Sequence, residues 1–437
     1  MSGAISAASA AAEPAGTPGG GVSVRVDMEI AIIGGGVGGL ALALNLHKRG
    51  IACRVYESAP EVKELGVGIT LLPHAMRELS ALGLGDALKA HAIENVESCF
   101  YNRFGQLIYK EPRGKYAGYA YPELSIHRGR LHMTLYRAAL DRLPAGSIVT
   151  DRHCLGVEQD GGGVTIRLRR SSDGATLPPV RADIAIACDG VNSAVRRQFY
   201  PDEKLAFAGI NTWRGVTRMK PFLTGRSYCR VGSIRTGKMV IYPIIDDVDG
   251  KGNQLVNWMA EIQSDNVEAN DWNKPGRLKD FYPIYEGWRF DWLDVAAMIR
   301  NADTIFEYPM VDKDPVDRWT FGCITLLGDA GHPMYPRGSN GAAQAVIDAR
   351  TLAELLAEGG DAIAALKRYE EARLGPPAKV VRTNRQHPPD FIIIKVEELV
   401  GDRPFARIDD VISQAELRTL SENYKRVAGF SLADVKR

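Results

Sequence analysis

The chain has 437 residues, 45% hydrophobic and 24% charged, enough for about two to three structural units and a large buried core. Its 54 Lys+Arg against 53 Asp+Glu leave a net charge of +1, which gives no electrostatic footprint for nucleic acid or an acidic membrane. No stretch reaches the ~20 apolar residues that a bilayer span needs, and the composition excludes a collagen-like or mostly disordered chain.

Residues 1–27 are Ala, Gly, Ser and Pro with little else. They lack the positive start and long apolar core of a secretory signal, so a flexible tail and a cytoplasmic location are expected. From Glu29 the texture changes. Ile30–Ile33 is a continuous apolar run, as in a parallel strand buried on both faces. A glycine cluster follows, then a helix through Leu40–Leu46 closed by Lys48-Arg49-Gly50, then a second strand over 52–57. Such a β-α-β unit implies a right-handed crossover and a doubly wound parallel sheet. Asp183–Gly190 and Ile324–Asp329 repeat the strand-then-glycine pattern. Between them aromatics concentrate (Trp213, Tyr242, Trp258, Trp272, Tyr285, Trp288) around short alternating stretches, which reads as a mostly antiparallel inserted sheet. Ala345, Ala349, Leu352 and Leu356 then mark one face of a long helix, and Pro376-Pro377 and Pro388-Pro389 punctuate its end. The expected class is α/β. A discontinuous dinucleotide-binding domain spans 28–202 and 302–385, a substrate domain 203–301, and a helical extension 386–437.

The six cysteines are scattered and form no C-x-x-C pair, so neither a zinc site nor a dithiol motif is indicated, and no metal is expected. Buried thiols in a reducing compartment are the expectation.

Gly34-Gly35-Gly36-Val37-Gly38-Gly39 fits G-x-G-x-x-G. Gly34 permits the tight turn, Gly36 lets the backbone approach a pyrophosphate, and Gly39 lets the helix pack on the strand. The phosphates would meet the N–H groups at the start of the helix, around Val37 and Gly38. Glu57 lies 18 residues past Gly39, placed to accept from a ribose diol and to repel a 2′-phosphate, so the site suits FAD or NAD.

Two later segments belong with the fingerprint: Cys188-Asp189-Gly190, and the run from Gly328 and Asp329 through His332-Pro333-Met334-Tyr335-Pro336-Arg337-Gly338-Ser339-Asn340-Gly341. With these three motifs in order, the chain resembles the FAD-dependent aromatic monooxygenases of the p-hydroxybenzoate-hydroxylase fold over about 28–385, and His332–Gln344 looks closest to the phenazine-pathway hydroxylases. The resemblance implies that the dinucleotide is FAD. It places Glu57 on the adenosine ribose, Arg128 at the FAD phosphates, Gly68 near the isoalloxazine, and Asp189 in a segment serving FAD and the pyridine nucleotide. It also places Asp329 on the ribityl chain or neighbouring phosphates, and Gly338 to Gly341 at the flavin N1–C2=O edge. The third motif lacks the Pro-Pro pair of the hydroxybenzoate branch, which argues against that substrate.

The implied reaction uses NADH or NADPH and O₂ to hydroxylate a small aromatic or N-heteroaromatic acid or phenol through a C4a-hydroperoxyflavin, in a pocket that excludes water. No protein residue is assigned as catalytic. Candidate pocket residues are Trp213, Arg214, Tyr242, Trp258, Pro333, Met334 and Tyr335, and His332 is expected to shape the loop. A monomer or homodimer is expected, with no nucleic-acid or membrane partner. Alternatives are an epoxidase, a decarboxylating hydroxylase or a C=C reductase on the same scaffold, or a non-catalytic nucleotide-sensing protein.

Overall fold

Ile30–Ile33 is buried along its whole length because a parallel strand lies on each side of it, Ile184–Ala187 on one and Arg54–Tyr56 on the other. The computed structural model describes residues 28–64, 66–264, 274–386 and 388–435, so the tail expected over 1–27 and the aromatic Trp272 lie outside the described residues. The sheet built on this strand has six members, in the order Thr320–Phe321, Ile324–Leu326, Ile184–Ala187, Ile30–Ile33, Arg54–Tyr56, Ile148–Val149. All pairings are parallel except the short terminal hairpin at 320–326. Two helices, Val37–Lys48 and Gly341–Ala357, pack against each other over this sheet. Ala345, Ala349, Leu352 and Leu356 all face inward, as their spacing requires.

The second sheet has eight strands, in the order Lys274–Pro275, Ala302–Asp312, Ala206–Met219, Gln254–Gln263, Lys238–Ile245, Ser227–Val231, Glu97–Tyr101, Leu107–Pro112. This moves the expected boundaries. Glu97–Pro112 and Ala302–Asp312 run in this sheet, outside 203–301, because the sheet is assembled from segments far apart in the chain. Strand pairing alone decides which sheet a short half-buried strand joins, and its own pattern carries no such label.

One face of this sheet carries Trp213, Trp258, Met239, Ile241 and Val256, packed under Phe281, Tyr285 and the helix Val295–Arg300. The opposite face carries Arg214, Val240, Tyr242, Asn257 and Met259 and turns toward the parallel-sheet domain at Val67 and Gly68.

The Pro376-Pro377 pair opens the helix Gly375–Gln386, since proline fits a first turn where its missing N–H is no loss. Beyond it, helices Phe391–Val400 and Gln414–Val427 bury Ile392, Ile393, Val396 and Leu417 against Phe100, Ile108 and Tyr109 of the last two strands of the sheet. Ser413 and Glu416 open the second of these with a capping box. Among the described residues no helix is long and apolar enough to cross a membrane.

Candidate functional site

Gly34 has φ +105°, and a Cβ on it would stand 2.4 Å from the Cys188 carbonyl oxygen and 3.1 Å from the Asp189 Cα. The first glycine turn therefore rests directly on the Asp189 segment. A Cβ on Gly38 would lie 3.0 Å from Leu327 and 3.5 Å from Ala345, so the same turn also meets the Gly328-Asp329 segment and the helix behind it. Gly39 packs on the Gly34 carbonyl, 2.0 Å from where its Cβ would be. At Gly36 a Cβ would have nothing within 4 Å. The helix Val37–Lys48 begins there with no side-chain cap, leaving its first N–H groups for an anion.

Glu57 reaches the turn from the end of the second strand. Its carboxylate accepts from Gly35 N at 2.6 Å and from Ala59 N at 2.7 Å. Asp189 uses Oδ2 to accept from Ala194 N at 2.8 Å, while Oδ1 is buried without a partner, and burial holds this carboxyl above its ordinary value. Asp329 is exposed, with Oδ1 3.9 Å from where a Cβ on Gly341 would be. Gly341 starts its helix, and its N-cap Asn340 makes no cap bond. Instead Asn340 Nδ2 donates to the Gly338 carbonyl at 3.2 Å and to Tyr424 Oη at 3.3 Å. His332 is buried, and its Nε2 meets Asp348 Oδ2 at 2.5 Å, so it braces the loop from behind.

Arg128 is exposed at the start of helix Arg128–Arg142, its N–H bonded to the Val67 carbonyl at 2.8 Å and its side chain beside Gly66. Gly68 donates its N–H to Asn257 Oδ1 at 2.7 Å, and a Cβ there would strike Asn257 and Tyr242. The two domains thus meet at Gly68, on the face that carries Arg214.

Of the pocket candidates, Arg214 and Tyr242 lie on this inner face. Burial lowers the Arg214 pKa and raises that of Tyr242. Trp213 and Trp258 do not lie there. Strand alternation turns them to the far face, where Trp213 stacks on Phe281 at 5.1 Å and Trp258 Nε1 donates to Thr217 Oγ1 at 3.0 Å. Tyr335 is also withdrawn, packed with Ile210 and Met310 between the strands that join the domains. Pro333 is buried, and Met334 faces Gly341.

The inner face also holds residues that the sequence reading passed over. Tyr228 stacks on Tyr242 at 4.7 Å, and Arg230 lies 4.6 Å from the Tyr228 ring and 5.1 Å from that of Phe100. A narrow crevice opens here against the third-motif loop, bounded by Phe100, Glu111, Arg113, Arg230, Gly338 and Tyr424. The signal in the sequence was the period of two: Tyr228, Arg230, Tyr242 and Arg214 share a face only once the register is known.

The family model described as FAD binding domain matches residues 27–221 and 307–384. A phenazine 1,6-dicarboxylic acid hydroxylase of Lysobacter antibioticus is 37% identical over 93% of this chain and 98% of its own. A 3-amino-4-hydroxybenzoate 2-monooxygenase of Streptomyces platensis is 32% identical over 93% of this chain and 97% of its own. The chain belongs to the FAD-binding aromatic monooxygenase family. Among solved structures, Klebsiella pneumoniae HpxO complexed with FAD and uric acid superposes with a TM-score of 0.72 at 22% identity, covering 95% of this chain and 99% of that one. As a monooxygenase of this family the chain is an oxidoreductase with FAD as cofactor. The open space at Gly36, the uncapped helix start and the orphaned Asp189 oxygen fit a dinucleotide.

Proposed function

We propose that this chain hydroxylates a small aromatic or N-heteroaromatic acid, with NADH or NADPH as reductant and O₂ as oxidant. The observation that carries the reading is the meeting of Gly34 with Cys188-Asp189 and of Gly38 with Leu327 and Ala345 around the open space at Gly36. On this reading the start of helix Val37–Lys48 holds the pyrophosphate, Glu57 the ribose, Arg128 a phosphate, and Asp329 the ribityl region. Gly338 to Gly341 carry the helix start that stabilises negative charge at the N1–C2=O edge. FAD, when bound, supplies oxygen activation for ring hydroxylation. The chain's own residues position the ring and keep water out: Val240 and Met259 form an apolar floor, and Tyr228 and Tyr242 form a stacked wall.

The test is direct. Purified protein is expected to be yellow, to consume NAD(P)H faster when an aromatic acid is added, and to release a product one oxygen atom heavier by mass spectrometry. A colourless protein that stays apo when offered FAD overturns the reading in favour of a nucleotide sensor. Turnover that proceeds without O₂ overturns it in favour of a reductase.

A further inference from the structure

The cations on the inner face of the eight-stranded sheet, or packed against it, fall into two kinds. Lys238 pairs with Glu261 and Asp390, each at 3.0 Å. Arg113 pairs with Glu123 at 2.8 Å, and Lys425 with Glu111 at 2.9 Å. Arg337 lies 3.7 Å from Glu261. Among the described residues, neither Arg214 nor Arg230 has a carboxylate within 4 Å. Arg230 is only 6% exposed, yet it donates to nothing more charged than Ser98 Oγ, at 2.9 Å, between the Phe100 and Tyr228 rings. Arg214 is half-buried and lies over the Tyr308 ring at 5.7 Å, with its Nε buried and unpartnered. The carboxylate whose field reaches it, Glu261, is already shared by Lys238 and Arg337.

The two guanidiniums that lack a carboxylate partner stand in one cross-strand row. Arg214 is opposite Met259, Met259 opposite Val240, and Val240 opposite Arg230. Three strand spacings separate their Cα atoms by roughly 14 Å, with the apolar Met259 and Val240 between them. Burying a charge without a counter-charge is costly, and a guanidinium fork matches a carboxylate in bidentate geometry. We infer that the substrate is a dianion, a flat aromatic acid lying over Val240 and Met259 with one anionic group held by Arg214 and a second by Arg230. The inference rests on the reading of this face as the substrate floor and names the substrate class for it.

The test uses the FAD-loaded protein and three probes that share one ring system: phenazine-1,6-dicarboxylate, phenazine-1-carboxylate and unsubstituted phenazine. Kd is measured by equilibrium dialysis, which does not depend on a flavin signal. The diacid is expected to bind about tenfold or more tighter than the monoacid. Arg214→Gln and Arg230→Gln should each weaken the diacid about tenfold or more and leave phenazine unchanged, and only one of the two should weaken the monoacid. Arg214→Lys and Arg230→Lys should recover part of the loss, which a folding defect would not allow. A diacid that binds no tighter than the monoacid overturns the inference. So does an Arg214→Gln protein that loses FAD affinity but keeps the wild-type diacid-to-monoacid ratio, since Arg214 would then serve the cofactor. The two readings fail separately. A protein that takes up no FAD sinks the monooxygenase reading, whereas a holoenzyme that hydroxylates a monoacid with KM unchanged in both Gln variants sinks only the dianion.

Discussion

At the scale of single residues, two positions near the cofactor space can be tested apart. Glu57 accepts two backbone N–H bonds with its two oxygens, from Gly35 and Ala59. A glutamine there keeps one acceptor and turns an NH₂ toward the other donor. Glu57→Gln should therefore weaken FAD by about 1.5–3 kcal/mol, roughly ten- to hundredfold in Kd, read by flavin fluorescence titration. Gly338 is constrained differently. Its φ is +77°, and a Cβ on it would stand 1.5 Å from Tyr424 Oη. Gly338→Ala combines the cost of a left-handed alanine, about 1–2 kcal/mol, with overpacking of about 1–3 kcal/mol. A clear fall in Tm is expected. Gly341→Ala, where the nearest atom would be 3.8 Å away, should stay within about 0.5 kcal/mol of wild type. Equal melting of the two variants would show that the Tyr424 contact does not constrain the loop.

Among elements, the long helix Gly341–Ala357 is tied to its neighbours by one buried carboxylate. Asp348 accepts from Arg373 Nε at 2.6 Å on helix Ala362–Arg373, meets His332 Nε2 at 2.5 Å, and accepts from Gly328 N at 3.2 Å. Burial alone would raise its pKa, but His332 and Arg373 outweigh that and hold it below the ordinary value. A lowered folded value means that stabilisation is complete above the unfolded value of about 3.9 and is lost as pH falls through the folded one. Asp348→Asn should cost about 3–5 kcal/mol at pH 7 by leaving Arg373 unpaired, and the loss should shrink below pH ~4. Thermal melts across pH 3–7 check this, and a pH-independent difference would count against it. These elements also show what the sequence makes legible. Ile30–Ile33, the glycine turn and Glu57 were readable because a strand buried on both faces is a continuous apolar run and a phosphate turn needs its glycines at fixed offsets. Trp213 and Trp258 were misplaced because composition says that a strand is aromatic, while register says which way each ring points. Tyr228 and Arg230 went unnoticed for the same reason, and Tyr424 because it reaches Gly338 across 86 positions of chain. Nothing local marks such a contact.

For the molecule as a whole, the decisive feature is that the C-terminal extension closes the site from a third side. Asp390 joins Lys238 and Glu261 of the inner face, and through Glu261 the chain of charges continues to Arg337 of the third-motif loop. Burial would raise the Asp390 pKa, but Lys238 and then Arg337 bring it down to about 2. Against an unfolded value of about 3.9, this is about 2–3 kcal/mol of stability, present above pH ~4 and lost as the pH falls toward 2. Asp390→Asn should remove that part of the acid limb, seen as a smaller difference in Tm between pH 7 and pH 3 than wild type shows. Removing the whole extension tests the larger claim. Ending the chain at Gln386 would uncover Phe100, Ile108 and Tyr109, leave Lys238 with Glu261 alone, take Ser421 and Lys425 from buried Glu111, and free Gly338 from Tyr424. An apolar patch newly exposed on the last two strands of the sheet invites association, and a loop released on one side no longer presents its helix start in one place. The truncated protein should elute as larger species and release FAD faster on dilution, while the parallel sheet, whose core shares no residue with the extension, stays folded. If it elutes as the full-length chain does and keeps FAD equally long, the extension is packing alone, and the third wall of the site must be sought elsewhere.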